Sequence, residues 1–304
     1  MFLWTAFFQP HHPYYYPVEY ADKYRTEDMV LPVGSPEDER WIPAKFRGLS
    51  DQERKGIIAA YYTSTEYMDK NVGIILDAVR DNNLEENTMI LYISDNGYLL
   101  NDHRRFEKHT MWDEAVRQPL IVKSPDIQSN VSKAFALVEY IDIFPTIIDW
   151  LGLAEVPFVQ GKSFFPILKD SSDEHKSYVF SEYLEDNMAM VASNDWKYIF
   201  TTGSRDLGIG YQTGFGPSGI VHRLYDLKGD PSESNDVSKN PENEKILSEL
   251  QNEMLKRFME THPDAADCPE NLTLEGKLVW FCEPRDIGVD QSLIDKPVRV
   301  FLKD

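Results

Sequence analysis

The sequence predicts a layered α/β domain over residues 1–156, followed by a smaller α+β unit over residues 157–304. Two observations carry this. In the first part, a long stretch with helical spacing of apolar residues is followed by short, continuous apolar runs, the alternation typical of helices packed on a sheet. Beyond about Pro157, four short strand candidates precede one clear helix, the order of an α+β unit. No internal repeat or low-complexity tract interrupts either part.

Taken in order, Phe2–Phe8 reads as a buried strand ending at the His11-His12-Pro13 turn. It has no basic lead or small-residue cleavage site of a signal peptide. Tyr14–Gly48 is irregular, and a segment this long without its own period is usually functional or wrapped over a surface. From Ser50 to Asn82, Ile58, Tyr61, Thr65, Met68, Val72, Ile75, Leu76 and Val79 recur at helical spacing, and Ser50 with Glu53 forms a capping box. Thr88–Ile93 reads as a strand covered on both faces, parallel to its neighbours, and Pro119–Val122 as another. Ala134–Leu151 closes at Gly152, a helix stop. Tyr178–Phe180, Met188–Val191, Trp196–Phe200 and Arg223–Asp226 are the later strands. Pro241–Thr261 is a helix with Ile246, Leu247, Leu250, Met254 and Phe258 on one face. The tail beyond Pro263 carries little signal.

The composition narrows the function. With 304 residues, 42% of them hydrophobic and 12% aromatic, the chain can build a real core. No apolar run reaches the roughly 20 residues of a membrane helix. A formal charge of −20 repels nucleic-acid phosphates and anionic membranes, which excludes both as broad partners. An anionic substrate would therefore need a local cluster of positive groups. Cys268 and Cys282 can be paired or free, and the sequons at Asn130 and Asn271 are too common by chance to decide anything.

Ser94-Asp95-Asn96-Gly97 follows directly on a strand, where ligands of α/β sheets gather. Asp95 and Asn96 offer adjacent hard oxygen donors, and Gly97 permits the tight turn that would aim them at one cation. The same residues can also be a plain turn. In His103–His109, five of seven side chains can carry positive charge, a reversal of sign that suits an anion, although basic runs are often only solvated loops. His11 and His12 are able to exchange protons near neutral pH. Asp69 reads as a capping or pairing acid of the long helix, and Glu114 as the ion-pair partner of Arg117.

In this order the motifs resemble the type I sulfatase family of the alkaline-phosphatase superfamily. They are Pro10-His11-x-Pro13, Tyr67-Met68-Asp69-x-x-Val72-Gly73, Asn87-Thr88-x-Ile90, Ser94-Asp95-Asn96-Gly97 and Lys108-x-Thr110-x-x-Asp113-Glu114, running on to Arg117-x-Pro119-Leu120. Asp142-x-x-Pro145-Thr146, Gly161-Lys162-Ser163, Trp196-Lys197-Tyr198 and Leu224-Tyr225-Asp226-Leu227 follow. The resemblance implies an alkaline-phosphatase-like core and sulfate-ester hydrolysis, with a sulfated small molecule or glycan as substrate. It implies calcium held by Asp95 and Asn96, sulfate bound by Lys108 and His11, and a proton delivered to the leaving alcohol by His11. His103 is placed with them as a substrate-binding residue.

The family's formylglycine nucleophile arises from a Cys/Ser-x-Pro-x-Arg motif, preceded by two further calcium-binding aspartates. Neither feature occurs in this sequence, and in Cys282-Glu283-Pro284-Arg285 the arginine comes one place early. The expectation is the carboxyl-terminal two-thirds of a sulfatase, with an incomplete core, inactive alone. The rivals are a phosphatase or phosphonate hydrolase on the same scaffold, and a non-catalytic anion-binding module. Compartment and oligomeric state stay open.

Overall fold

The computed structural model describes residues 1–127, 133–170, 174–183, 187–202 and 219–283. The chain begins with an irregular segment containing 3-10 turns at Val18–Tyr20, Thr26–Asp28 and Pro36–Trp41, then a short helix α1, Ala44–Arg47. The long helix α2, Asp51–Asp81, starts where the capping box predicts: the Glu53 N–H donates to Ser50 Oγ at 3.3 Å and the Ser50 N–H to Glu53 Oε2 at 2.8 Å. Its apolar stripe is buried at Ile58, Ala59 and Met68, whereas Ile74 and Leu76 near its end are exposed. Asp69, read as a capping or pairing acid, is exposed in mid-helix, away from the caps at Ser50 and Asn82.

Three predictions for the first sheet need correction. Phe2–Phe8 is not a strand: it lies in no ladder, and Phe2, Leu3, Trp4 and Phe8 are exposed. An apolar run becomes a strand only beside another whose backbone groups it can pair with, and among the described residues none lies there. The run at 88–93 does form β1, Ile90–Ile93, but it is half-buried rather than covered on both faces. It also pairs antiparallel, not parallel, with β4, Leu120–Lys123, in the register Ile90↔Lys123 to Ile93↔Leu120. The chain leaves β1 and re-enters β4 at the same end, which dictates the antiparallel direction. Between them lie the strand pair β2 (Leu99–Leu100) and β3 (Phe106–Glu107) and the short helix α3, Asp113–Val116.

Helix α4, Ile143–Trp150, is shorter than the segment that suggested it. It ends as read: Gly152 is left-handed at φ 63°, its N–H donates to the Asp149 carbonyl and the Leu153 N–H to that of Ile148, which satisfies the last-turn acceptors. After α5, Phe165–Asp170, the strands β5 (Val179–Tyr183), β6 (Met188–Ala192), β7 (Trp196–Thr201) and β8 (Val221–Asp226) form one antiparallel sheet in that order. All four had been legible as strands.

Side chains alternate across this sheet with period two. Ala189, Val191, Tyr198, Phe200 and Leu224 face α6 (Glu244–Thr261) and α7 (Leu274–Cys282), meeting Leu250, Met254, Phe258, Leu278 and Phe281. Met188, Met190, Ile199 and Tyr225 face the first part of the chain, meeting Trp41, Leu99, Met111 and Trp112. Helix α7 was not anticipated from the tail; it buries Cys282 in the core. Both cysteines are free thiols, and burial pushes that of Cys282 far up. Asn271 is exposed, while the Asn130 sequon lies outside the described residues. Among those residues no helix is long and apolar enough to cross a membrane.

Two buried cations sit on the inner face of the sheet, each 1% exposed. Lys197 pairs with Asp113 and, at 2.9 Å, with Glu233. The Arg223 guanidinium lies 4.0 Å from the Trp41 ring and 5.2 Å from that of Trp112, with no hydrogen-bond partner for its three nitrogens among the described residues. Desolvated contacts of this kind contribute about 2 kcal/mol.

Asp142 knits the two parts together. Fully buried, it accepts from the Glu139 N–H (2.8 Å), the Lys162 N–H (2.8 Å), Lys176 Nζ (2.7 Å) and His175 Nε2 (3.3 Å). Thr146 Oγ1, one turn on, accepts the Phe164 N–H at 2.9 Å. Gly161 passes so close that an added Cβ would stand 1.8 Å from the Ile141 carbonyl oxygen.

Removing one partner of a buried pair strands the other, so Asp142→Ala is expected to lose about 3–5 kcal/mol in urea unfolding. Burial lowers the His175 pKa from its ordinary 6.5, opposed by Asp142 and assisted by Lys162 and Lys176. The unfolded chain then takes up the proton first, so this contribution is complete above pH 6.5 and is lost as pH falls towards the folded-state pKa. His175→Gln should flatten that part of the stability–pH curve; an unchanged slope would assign it elsewhere.

Candidate functional site

Ser94–Gly97 follows the carboxyl end of β1, and three aromatic rings tie it to the histidine turn. The Tyr14 and Tyr98 hydroxyls share a hydrogen bond of 2.5 Å, and the Tyr61 ring of α2 stacks on Tyr98 with centroids 4.9 Å apart. The Tyr14 N–H in turn donates to the His11 carbonyl at 3.1 Å. The histidine turn, the long helix and the Ser94–Gly97 loop therefore meet through three tyrosines, of which only Tyr61 stood out in the sequence, as part of the helical stripe. Burial pushes the Tyr61 hydroxyl up to about 12, so these groups stay neutral donors.

Gly97 has a different reason from the one its sequence suggested. Its φ is not positive; instead its N–H donates to the Ala115 carbonyl at 2.9 Å, and an added Cβ would stand 2.0 Å from the Glu114 carbonyl oxygen. Close backbone approach, not turn geometry, requires the glycine.

Lys108 leaves a strained loop. Asn101, His103, Arg104, Glu107 and His109 all have positive φ, between 48° and 76°. Such conformations cost roughly 1–2 kcal/mol per residue and persist where the surroundings over-determine them. Arg54, buried on α2 one turn before Ile58, supplies much of that restraint. It donates to the carbonyls of Phe46 (2.6 Å), Leu49 (3.2 Å) and Arg104 (3.0 Å) and to Asn101 Oδ1 (2.7 Å). A charged residue on the apolar face of the helix was the available signal. Arg105 then donates to the carbonyls of Trp41 and Lys108, at 3.3 and 2.8 Å.

The structure brings the predicted residues together only in part. Lys108 is half-buried, and its ammonium makes no hydrogen bond or ion pair among the described residues, which is notable in a chain with 51 acidic side chains. It lies within electrostatic reach of His12, whose pKa is lowered by burial first, then by His11, with Glu107 opposing and Lys45 and Lys108 adding. His11 donates from Nδ1 to the His12 carbonyl at 2.8 Å, leaving Nε2 as the nitrogen that can carry a second proton. His103 stands apart from them. It is 6% exposed, its ring stacks on Trp112 at 3.8 Å, Nδ1 lies 3.1 Å from Asp38 and Nε2 3.9 Å from Glu114. Glu114 thus faces His103 rather than Arg117, which pairs with Asp113 at 3.6 Å. Burial raises the Glu114 pKa, favouring its neutral form.

Asp95 is exposed, its Oδ1 accepting the Asn96 N–H at 3.0 Å. Neither residue is joined to His11 or Lys108 by a hydrogen bond or ion pair among the described residues. Burial and then the Asp95 charge push the Tyr140 hydroxyl up to about 12. The pair suits calcium in kind, one carboxylate and one amide carbonyl. Calcium takes six to eight oxygens, and among the described residues no group of three or more His, Cys, Asp or Glu side chains is placed to hold a metal ion.

A family model described as Sulfatase matches residues 1–153, and one described as N-sulphoglucosamine sulphohydrolase, C-terminal, matches residues 101–260. A protein named Sulfatase from Formosa agariphila is 29% identical over 211 residues, covering 65% of this chain and 41% of that protein. Arylsulfatase K of Bos taurus is 31% identical over 208 residues, covering 64% of this chain and 35% of that protein. The chain thus spans about a third to two-fifths of the length of these relatives. The structure of BT4656 in complex with its substrate D-glucosamine-2-N,6-O-disulfate superposes with a TM-score of 0.61 at 25% identity, covering 70% of this chain and 43% of that one. Phosphonate monoester hydrolase SpPMH from Silicibacter pomeroyi gives a TM-score of 0.67 at 22% identity, covering 88% and 57%.

The glycines supply a test of the site's packing. Gly97→Ala must displace backbone, so about 1–3 kcal/mol of stability should be lost, with faster amide exchange over residues 94–99. Gly73→Ala, in open space on α2, should instead gain roughly 0.5–1 kcal/mol. Equal effects from the two would show that Gly97 is not held by close contact.

Proposed function

This chain belongs to the sulfatase family, with its alkaline-phosphatase-like fold, and from that premise we propose that its site serves the hydrolysis of a sulfate ester. The observation that supports this best is Lys108, unpaired among the described residues and held by a strained loop within electrostatic reach of the histidine turn, in a chain of net charge −20. A sulfate group needs positive groups to offset its oxygens, and departure of the alcohol needs a proton. Lys108 supplies the first and His11 Nε2 the second. His103 keeps the loop in shape from inside rather than touching substrate. Asp95 and Asn96 would contribute two oxygens towards a cation.

The substrate class we infer is a sulfated carbohydrate. The support is the resemblance to BT4656, whose structure holds a disulfated glucosamine. The phosphonate hydrolases match at 22% and 19% identity, which speaks for the fold alone. As for a nucleophile, Cys282 is fully buried between α6 and α7 with its thiol pushed far up, the opposite of an activated thiolate.

Titration of the chain with glucosamine 6-sulfate should show binding that unsulfated glucosamine lacks, weakened about tenfold or more by Lys108→Ala, a difference of about 1.4 kcal/mol. Equal binding of the two sugars would overturn the reading. Turnover of a chromogenic aryl sulfate by this chain alone should stay at background; activity abolished by Cys282→Ala would reverse the judgement on that thiol. Calorimetric titration with calcium should reveal no micromolar site, and such a site lost in Asp95→Ala would show that the oxygen count was underestimated.

A further inference from the structure

Of the left-handed residues around Lys108, three are held by side chains that precede or follow the loop closely in the fold. Asn101 and Arg104 are held by Arg54, and His103 by Asp38 and Trp112. The two that flank Lys108 are pinned differently. Glu107 lies in β3 and pairs with Lys45 of α1 at 2.5 Å. His109, at φ 67°, places Nδ1 2.6 Å from the hydroxyl of Tyr183, the last residue of β5. Burial lowers the His109 pKa, with Glu107 opposing it and Arg105, Lys108 and Lys45 adding to the effect, so the neutral ring shares a hydrogen bond with the Tyr183 hydroxyl. The carbonyl of Lys108 is meanwhile held by Arg105. The direction in which Lys108 leaves the backbone is thus referred to the four-stranded sheet through the residue that follows it.

We propose that His109 is a positioning residue and Tyr183 its anchor: together they aim the Lys108 ammonium at the anion, so that the carboxyl-terminal sheet sets the affinity of a site formed on another part of the chain. This rests on the reading of Lys108 as the sulfate-binding cation. It adds to that reading a long-range tie, 74 residues apart in sequence, that local pattern does not contain.

The test uses the full chain with inorganic sulfate as probe, and three variants. Tyr183→Phe removes only the hydroxyl. His109→Gly keeps the left-handed backbone and removes the ring; the third variant combines both. Each single variant should weaken sulfate binding three- to tenfold, and the double variant no further than either, because the pair acts as one unit. A second readout needs no anion: the rate at which a neutral acylating reagent modifies Lys108, followed peptide by peptide by mass spectrometry against the exposed Lys256. That rate should change in all three variants while Lys256 stays constant. An unchanged Lys108 rate in Tyr183→Phe and His109→Gly would overturn the proposal, as would additive losses in the double variant. Sulfate binding that survives Lys108→Ala would instead overturn the assignment of Lys108, while the acylation rates would still decide whether His109 orients it.

Discussion

A single buried carboxylate, Asp142, is the constraint around which the two parts of this molecule are arranged. A carboxylate withdrawn from water is costly unless donors surround it. Here they come from the turn before α4, from the loop at Lys162 and from the segment leading into β5. Each donor belongs to a piece of chain that could otherwise drift relative to the others. Glu139, which accepts from Lys176 at 2.5 Å and from the Phe180 N–H at 3.1 Å, extends the same network into the first strand of the four-stranded sheet. The motifs at 142–146 and 161–163 are therefore two halves of one joint, and Gly161 is the place where they come too close for any side chain.

The sheet that this joint positions is covered on both faces, which is how it can carry two charges inward. Lys197 is neutralised by Asp113 and Glu233, whereas Arg223 rests on indole rings. Charge served by a carboxylate and charge served by an aromatic face are different solutions to the same desolvation problem. Both sit where the sheet meets the segment bearing Trp41, Trp112 and Lys108, so the strained loop is backed by a surface that cannot easily yield.

The site depends on that backing. Five left-handed residues within nine positions would relax if the loop were free, and Arg54, Asp38, Trp112, Arg105 and Tyr183 hold it from different directions. The result is a cation without a partner among the described residues of a strongly acidic chain, a state that a relaxed loop would remove by reaching the nearest carboxylate.

What the sequence by itself determined is what local forces decide. The capping box at Ser50 and Glu53, the helical stripe of α2, the glycine stop at Gly152, the four alternating strands and the helix at 244–261 depend on residues within a turn or two of one another. So does the sulfatase resemblance, since motifs are local strings. Tertiary structure alone decided the antiparallel pairing of β1 with β4, the exposure of Phe2–Phe8 and the folding of α7 onto α6. It also decided that Gly97 is required by the Glu114 carbonyl, that Glu114 faces His103 and not Arg117, and that His103 is buried while Lys108 is half-buried and unpaired among the described residues. The physical reason is common to all of these. Pairing direction, burial and backbone strain are set by groups distant in sequence, and a residue's neighbours across a fold are not written in its neighbours along the chain.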